Sequence, residues 1–136
     1  MATLDDAAQL AMALPDVVEG ERHGTKTWSV EGGKCFAWER QFSKADIRRF
    51  GEETPPAQPI LAVRTLDLDD KEALLLAGHR GFFTIPHFDG YAAVLIELRI
   101  AGKKALREAL VDGWLACAPP RLADAYLESE RRRPKA

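Results

Sequence analysis

Apolar residues recur along this chain with two periods, and the changes of period mark its elements. Leu4, Ala7, Ala8, Ala11 and Leu14 fall at helical spacing, which predicts an amphipathic helix over residues 3–13. Thr3 stands at its cap, and Asp6 suits the positive helix end. Pro15 stops it. Residues 27–31 and 34–40 read as strands around Gly32-Gly33, a pair suited to a two-residue hairpin turn. Residues 60–66 form a third strand. Asp69 then caps a helix with Glu72 in the reciprocal position, and Gly78 is its left-handed stop. Strands at 82–86 and 92–98 make a second hairpin through the Asp89-Gly90 step. Leu106, Leu110, Trp114 and Cys117 share one stripe of a helix over 103–117. Pro119-Pro120 breaks it, and a last helix spans 121–129. Ser43 and Asp46 are spaced as a capping box, so a short helix runs through Phe50 to Gly51 before a proline-rich loop.

This order, α-β-β-β-α-β-β-α-α without the short helix, predicts a two-layer α+β domain. Its sheet is expected to be five-stranded and mostly antiparallel, with the helices on one face. The 136 residues suit one domain over 1–130 followed by a basic tail at 131–136. With 46% hydrophobic and 29% charged residues, the composition is that of a soluble globular protein with a real core. No apolar run approaches the roughly 20 residues that cross a bilayer, and the start lacks a secretion signal. Cys35 and Cys117 are isolated, which gives no zinc or disulfide framework. A cytoplasmic protein without metal, cofactor or membrane is therefore expected.

Charge alters this picture locally. The net charge is −2, yet residues 1–21 hold five acids and no base. Residues 22–49 hold seven bases against three acids, a net of +4. An anionic total argues against a dedicated phosphate-gripping protein and leaves room for a local patch. Lys26, Lys34, Arg40, Lys44, Arg48 and Arg49 are the candidate phosphate contacts. A two-residue turn pairs Glu31 with Lys34, Ser29 with Phe36 and Thr27 with Trp38. Alternation then places Lys34, Phe36, Trp38 and Arg40 on one face, opposite Trp28, Val30, Cys35 and Ala37. Phe36 and Trp38 so placed are either stacking groups for single-stranded nucleic acid or core aromatics. A slip of one residue at the turn exchanges the faces.

His87, Phe88 and Tyr91 are candidates for a small ligand pocket. His87 and Asp89 invite a general-base role, but they share one tight turn in which Asp-Gly has a sufficient structural purpose. The sequence holds no serine elbow, phosphate loop, HExxH helix or dinucleotide fingerprint, so no catalytic residue is assigned.

Several segments, taken in order, resemble the MmcQ/YjbR family, whose members are often labelled DNA-binding. They are Leu14-Pro15-Asp16-Val17, Glu19-Gly20, His23-Gly24, Trp28, Gly33–Trp38, Phe82–Tyr91, Leu106–Trp114 and Ala118–Leu122. The resemblance implies a compact fold with a twisted antiparallel sheet, similar to CyaY, and it brings no catalytic residues. Three functions follow as expectations. The first is weak DNA binding through the first hairpin and the following short helix. The second is a protein-interaction or chaperone-like module, or a homodimer, using an open sheet face. The third is small-ligand binding near His87.

Overall fold

The computed structural model describes residues 1–133. Its helices are α1 (Leu4–Met12), α2 (Lys44–Phe50), α3 (Leu68–Leu76), α4 (Lys103–Cys117) and α5 (Pro120–Arg131). Its strands are β1 (Val17–Arg22), β2 (Thr25–Val30), β3 (Cys35–Glu39), β4 (Ile60–Arg64), β5 (Phe82–Phe83) and β6 (Ala93–Glu97). They form one antiparallel sheet in the order β1-β2-β3-β4-β6-β5, so the fold is α+β as the pattern predicts.

The sheet has six strands where five were expected, because β1 carries no readable period. Only Val17 of Val-Val-Glu-Gly-Glu-Arg is even half-buried. An edge strand held from one side needs no apolar face. A turn at His23-Gly24 joins β1 to β2, and both residues take left-handed φ values, 52° and 80°. This is the two-residue hairpin turn of the chain. His23 is an exposed turn residue.

The second hairpin loop differs from expectation, with a large effect on which side chains share a face. Of Gly32 and Gly33 only Gly32 has a left-handed φ, 77°. The loop is instead three residues long, closed by Val30 N–H donating to the Lys34 carbonyl at 3.1 Å. Ser29 consequently pairs with Cys35 rather than Phe36. A β-bulge at Phe36 absorbs the one-residue shift, and Trp28–Ala37 and Thr27–Trp38 resume the expected register. Phe36 therefore turns inward with Trp28, Val30 and Ala37, fully buried against α4. Cys35 turns the opposite way.

Two apolar layers result. On the first face, α1 and α4 cover Trp28, Val30, Phe36, Leu61, Val63, Val94 and Ile96. On the second, α2 and a 3-10 turn at Pro86–Phe88 cover Ile60, Ala62, Ala93 and Leu95 with Phe42, Phe50, Ile85 and Phe88. Helices thus lie on both faces, a correction to the one-sided expectation. The short helix α2 packs because its phenylalanine Phe50 meets Phe42 edge-on, with ring centres 5.4 Å apart. The cap of α3 is Asp67, two residues before Asp69, and accepts from the Asp70 N–H at 2.8 Å. Strand 82–86 stops at Phe83, since Pro86 opens the 3-10 turn.

Candidate functional site

On the second face the 3-10 turn reaches β3 only through Phe88 against Trp38, and neither it nor α2 extends over β1 and β2. There the sheet changes chemistry. Thr25, Thr27 and Ser29 alternate along β2 with the buried Trp28 and Val30 pointing the other way. Gly20 lies across from Thr27 on β1, and a Cβ there would come 3.1 Å from the Thr27 hydroxyl. Together with Cys35, Trp38, Arg40, Arg64 and Tyr91 these residues line a cleft of about 570 Å³. That is within the usual range for small-molecule sites, roughly 300–1,000 Å³.

Arg64 enters the cleft from the end of β4. Its Nε donates to the Cys35 carbonyl at 2.8 Å across the gap that the bulge opens in β3. Its guanidinium carbon lies 5.8 Å from the Trp38 ring centre and 5.3 Å from that of Tyr91. The aromatic contacts fix its plane. Among the described residues its Nη groups have no hydrogen-bond or ion-pair partner. No periodicity singles out Arg64, the last residue of a strand whose other four residues are apolar and buried. That placement, a lone cation closing a buried strand, is the one sequence signal for it.

The aromatic wall of the cleft is anchored from behind by Lys71. Its ammonium is buried and donates to the carbonyls of Phe88 at 2.6 Å and Tyr91 at 2.8 Å. Burial holds its pKa below the ordinary lysine value, with Asp89 opposing. Both carbonyls also accept backbone N–H groups, so Lys71→Met is expected to cost only about 1 kcal/mol. Chemical denaturation measures that cost. Faster amide exchange confined to residues 86–92 would show that the strut positions the wall.

The residues expected to bind phosphate do not form one surface, since Lys26 and Lys34 lie apart from the group at α2. Lys34 lies at one end of β3 and α2 follows the other end. Lys26 pairs with Glu19, which also accepts from the Trp28 indole at 3.0 Å. Arg40 pairs with Asp46 at 2.8 Å and bonds the Gln41 carbonyl. Arg49 reaches the same Asp46 at 3.8 Å. Lys44 and Arg48 are exposed on α2. Phe36 is removed from any surface role by the bulge. Trp38 is half-buried, with its ring stacked 6.4 Å from Phe88. Of the expected ligand pocket, Tyr91 lines the cleft and Phe88 lies beneath Trp38, but His87 faces solvent and is absent from the lining. Arg131, Arg132 and Arg133 pair with Glu128 and Glu130, while Pro134 and Lys135 lie outside the described residues.

Asp46 organises the α2 side. It completes a capping box with Ser43, and its carboxyl is almost fully buried. Desolvation raises its pKa, but the Ser43 backbone and hydroxyl and the Arg40 guanidinium outweigh this and hold it below the usual aspartate value. Burial pushes the Cys117 thiol up, which keeps it protonated and unreactive.

Sequence relatives cover almost all of this chain. Uncharacterized protein Rv2570 of Mycobacterium tuberculosis (strain H37Rv) is 41% identical over 130 residues, 93% of this chain and 97% of that protein. Uncharacterized protein Mb2600 of Mycobacterium bovis matches to the same extent. The chain belongs to their family. No protein-family model and no solved structure matches it. Among the described residues, no helix is long and apolar enough to cross a membrane.

Proposed function

We propose that this protein is a binding domain of the MmcQ/YjbR type, acting without catalysis, and that the cleft over β1–β3 holds a small ligand. The observation that carries this reading is the change of chemistry along one sheet face. Over β4 and β6 that face is apolar and sealed by Phe42, Phe50, Ile85 and Phe88. Over β2 it bears hydroxyls, and among the described residues no helix covers it. Polar side chains beside an aromatic wall, left open in an otherwise sealed sheet, are what a binding site requires. Thr27→Trp fills the cleft and tests the reading in a thermal-shift screen of small polar metabolites. Ligands are expected to raise the melting temperature of the wild type and leave the variant unmoved. Hits that survive the substitution count against the cleft.

Weak DNA binding is the second reading, favoured by α2. Lys44, Arg48 and Arg49 are exposed there beside Arg40, with Asp46 the one carboxylate paired among them. A fluorescence titration with a short single strand at two salt concentrations separates the two. Phosphate contacts weaken steeply with salt and are lost on reversing Arg48 and Arg49 to glutamate, whereas ligand binding in the cleft is indifferent to both residues.

A further inference from the structure

We infer that the cleft ligand bears an oxyanion, a carboxylate or a phosphate, and that the oxyanion binds the Nη edge of Arg64. The inference rests on the cleft being a ligand site and specifies what enters it.

Three features of the site converge. First, Arg64 is preorganised. One of its donors, Nε, is already used on the Cys35 carbonyl at 2.8 Å, and Trp38 and Tyr91 flank its plane. A guanidinium so fixed presents its remaining N–H groups as a rigid fork, the geometry that suits carboxylate or phosphate. Second, this cation differs from its neighbour. Arg40 also lines the cleft, but Asp46 at 2.8 Å and the Gln41 carbonyl occupy it. Third, neutral donors line the same cleft. Thr27 and Ser29 are half-buried and make no side-chain hydrogen bond among the described residues, unlike Thr25, which donates to the Arg22 carbonyl at 2.8 Å. Hydroxyls can complete the shell of an oxyanion that a single guanidinium leaves unfilled.

The remaining charges set the size of that anion. Glu21 and Glu39 also line the cleft with Arg22, while Asp46 holds Arg40. Glu39 accepts from the Lys26 N–H at 3.4 Å. Two carboxylates beside a single further arginine disfavour a highly charged ligand, so Arg64 meets one oxyanion group. A polyphosphate or a run of phosphates would face the two glutamates unpaired. The Trp38 ring already meets Phe88, Tyr91 and Arg64, so recognition falls on the anion and on hydroxyl contacts rather than on a stacked ring.

The three tryptophans provide an internal control. The Trp28 indole donates to Glu19 and the Trp114 indole to the Pro15 carbonyl, both away from the cleft. Nitrogen–proton correlation spectra of the intact chain follow these indoles and the Arg64 Nε–H during titration with lactate, glycerol 3-phosphate, glycerol and ethanolamine. The two anions are expected to shift Trp38 and Arg64 while Trp28 and Trp114 stay fixed, and glycerol at equal concentration does neither. The relative strength of lactate and glycerol 3-phosphate distinguishes carboxylate from phosphate. Arg64→Met is expected to weaken anion binding at least tenfold, and Arg64→Lys to recover part of it. Thr27→Val with Ser29→Ala leaves the Arg64 packing intact and is expected to weaken binding several-fold. Anion shifts that persist in Arg64→Met, or that appear only at Lys44 and Arg48, overturn the assignment. Glycerol or ethanolamine moving Trp38 where the anions fail overturns the oxyanion and keeps the cleft. If no probe moves Trp38 or Arg64, the cleft reading falls with it.

Discussion

Asp46→Ala is expected to lower stability by about 3 kcal/mol, since it removes the reciprocal half of a capping box and strands a partly buried guanidinium. Asp46 closes the capping box of α2 with Ser43 and receives Arg40 at 2.8 Å, and its side chain is 1% exposed against 18% for Arg40. Arg40 keeps its contact over the Phe88 ring, at 5.7 Å, which moderates the loss. Asp46→Asn preserves an acceptor for Ser43 and is expected to cost about half as much. Urea denaturation of the three proteins measures both values.

The pH dependence follows from the direction of the Asp46 shift. Its folded pKa lies below its unfolded value. Its contribution is therefore complete above about pH 4 and is lost as pH falls through the folded value. The stability gap between wild type and Asp46→Asn is expected to close on acidification below that point. A gap that stays constant down to the acid transition would mean that the charge of Asp46 does not act as described.

Gly113→Val is expected to cost about 3 kcal/mol by forcing atoms into a close-packed seam. A Cβ at Gly113 would come 2.9 Å from the Arg64 carbonyl oxygen and 2.9 Å from Val63 Cγ1. The first neighbour is backbone, so the helix must lift from the sheet. Gly113→Ala recovers up to about 1 kcal/mol of helix propensity and should be milder. Because the seam runs under β4, lifting α4 also displaces Arg64. The valine variant is expected to disturb the Trp38 indole resonance, on the far face of the sheet, along with its melting temperature.

How much of this could be read from the chain depended on local rules. The boundaries of α4, the Ser43–Asp46 capping box and the Gly78 stop follow from spacing and from residues that act on their own backbone. The Thr27–Trp38 pairing was also legible, yet for an incomplete reason. A three-residue loop and a bulge offset one another, and the residues between them, Cys35 and Phe36 among them, exchange faces. Strand β1 was invisible because its polar residues are exposed on both sides. Lys71 reads as a surface helix residue, and nothing adjacent to it in sequence announces the two carbonyls that bury it.

The amino-acid sequence by itself determined the kind of domain, the succession of its helices and most strands, and the apolar stripes that must be buried. Those are outcomes of periodicity and of short-range capping, which each segment carries within it. The tertiary structure alone decided which aromatic faces solvent, which cations keep a free hydrogen-bonding edge, and where the sheet is left bare. Each of these depends on partners distant in sequence, as Arg64 depends on Cys35 and the Tyr91 wall on Lys71. A one-residue change of register reverses a face without altering any local preference, so composition and spacing cannot register it.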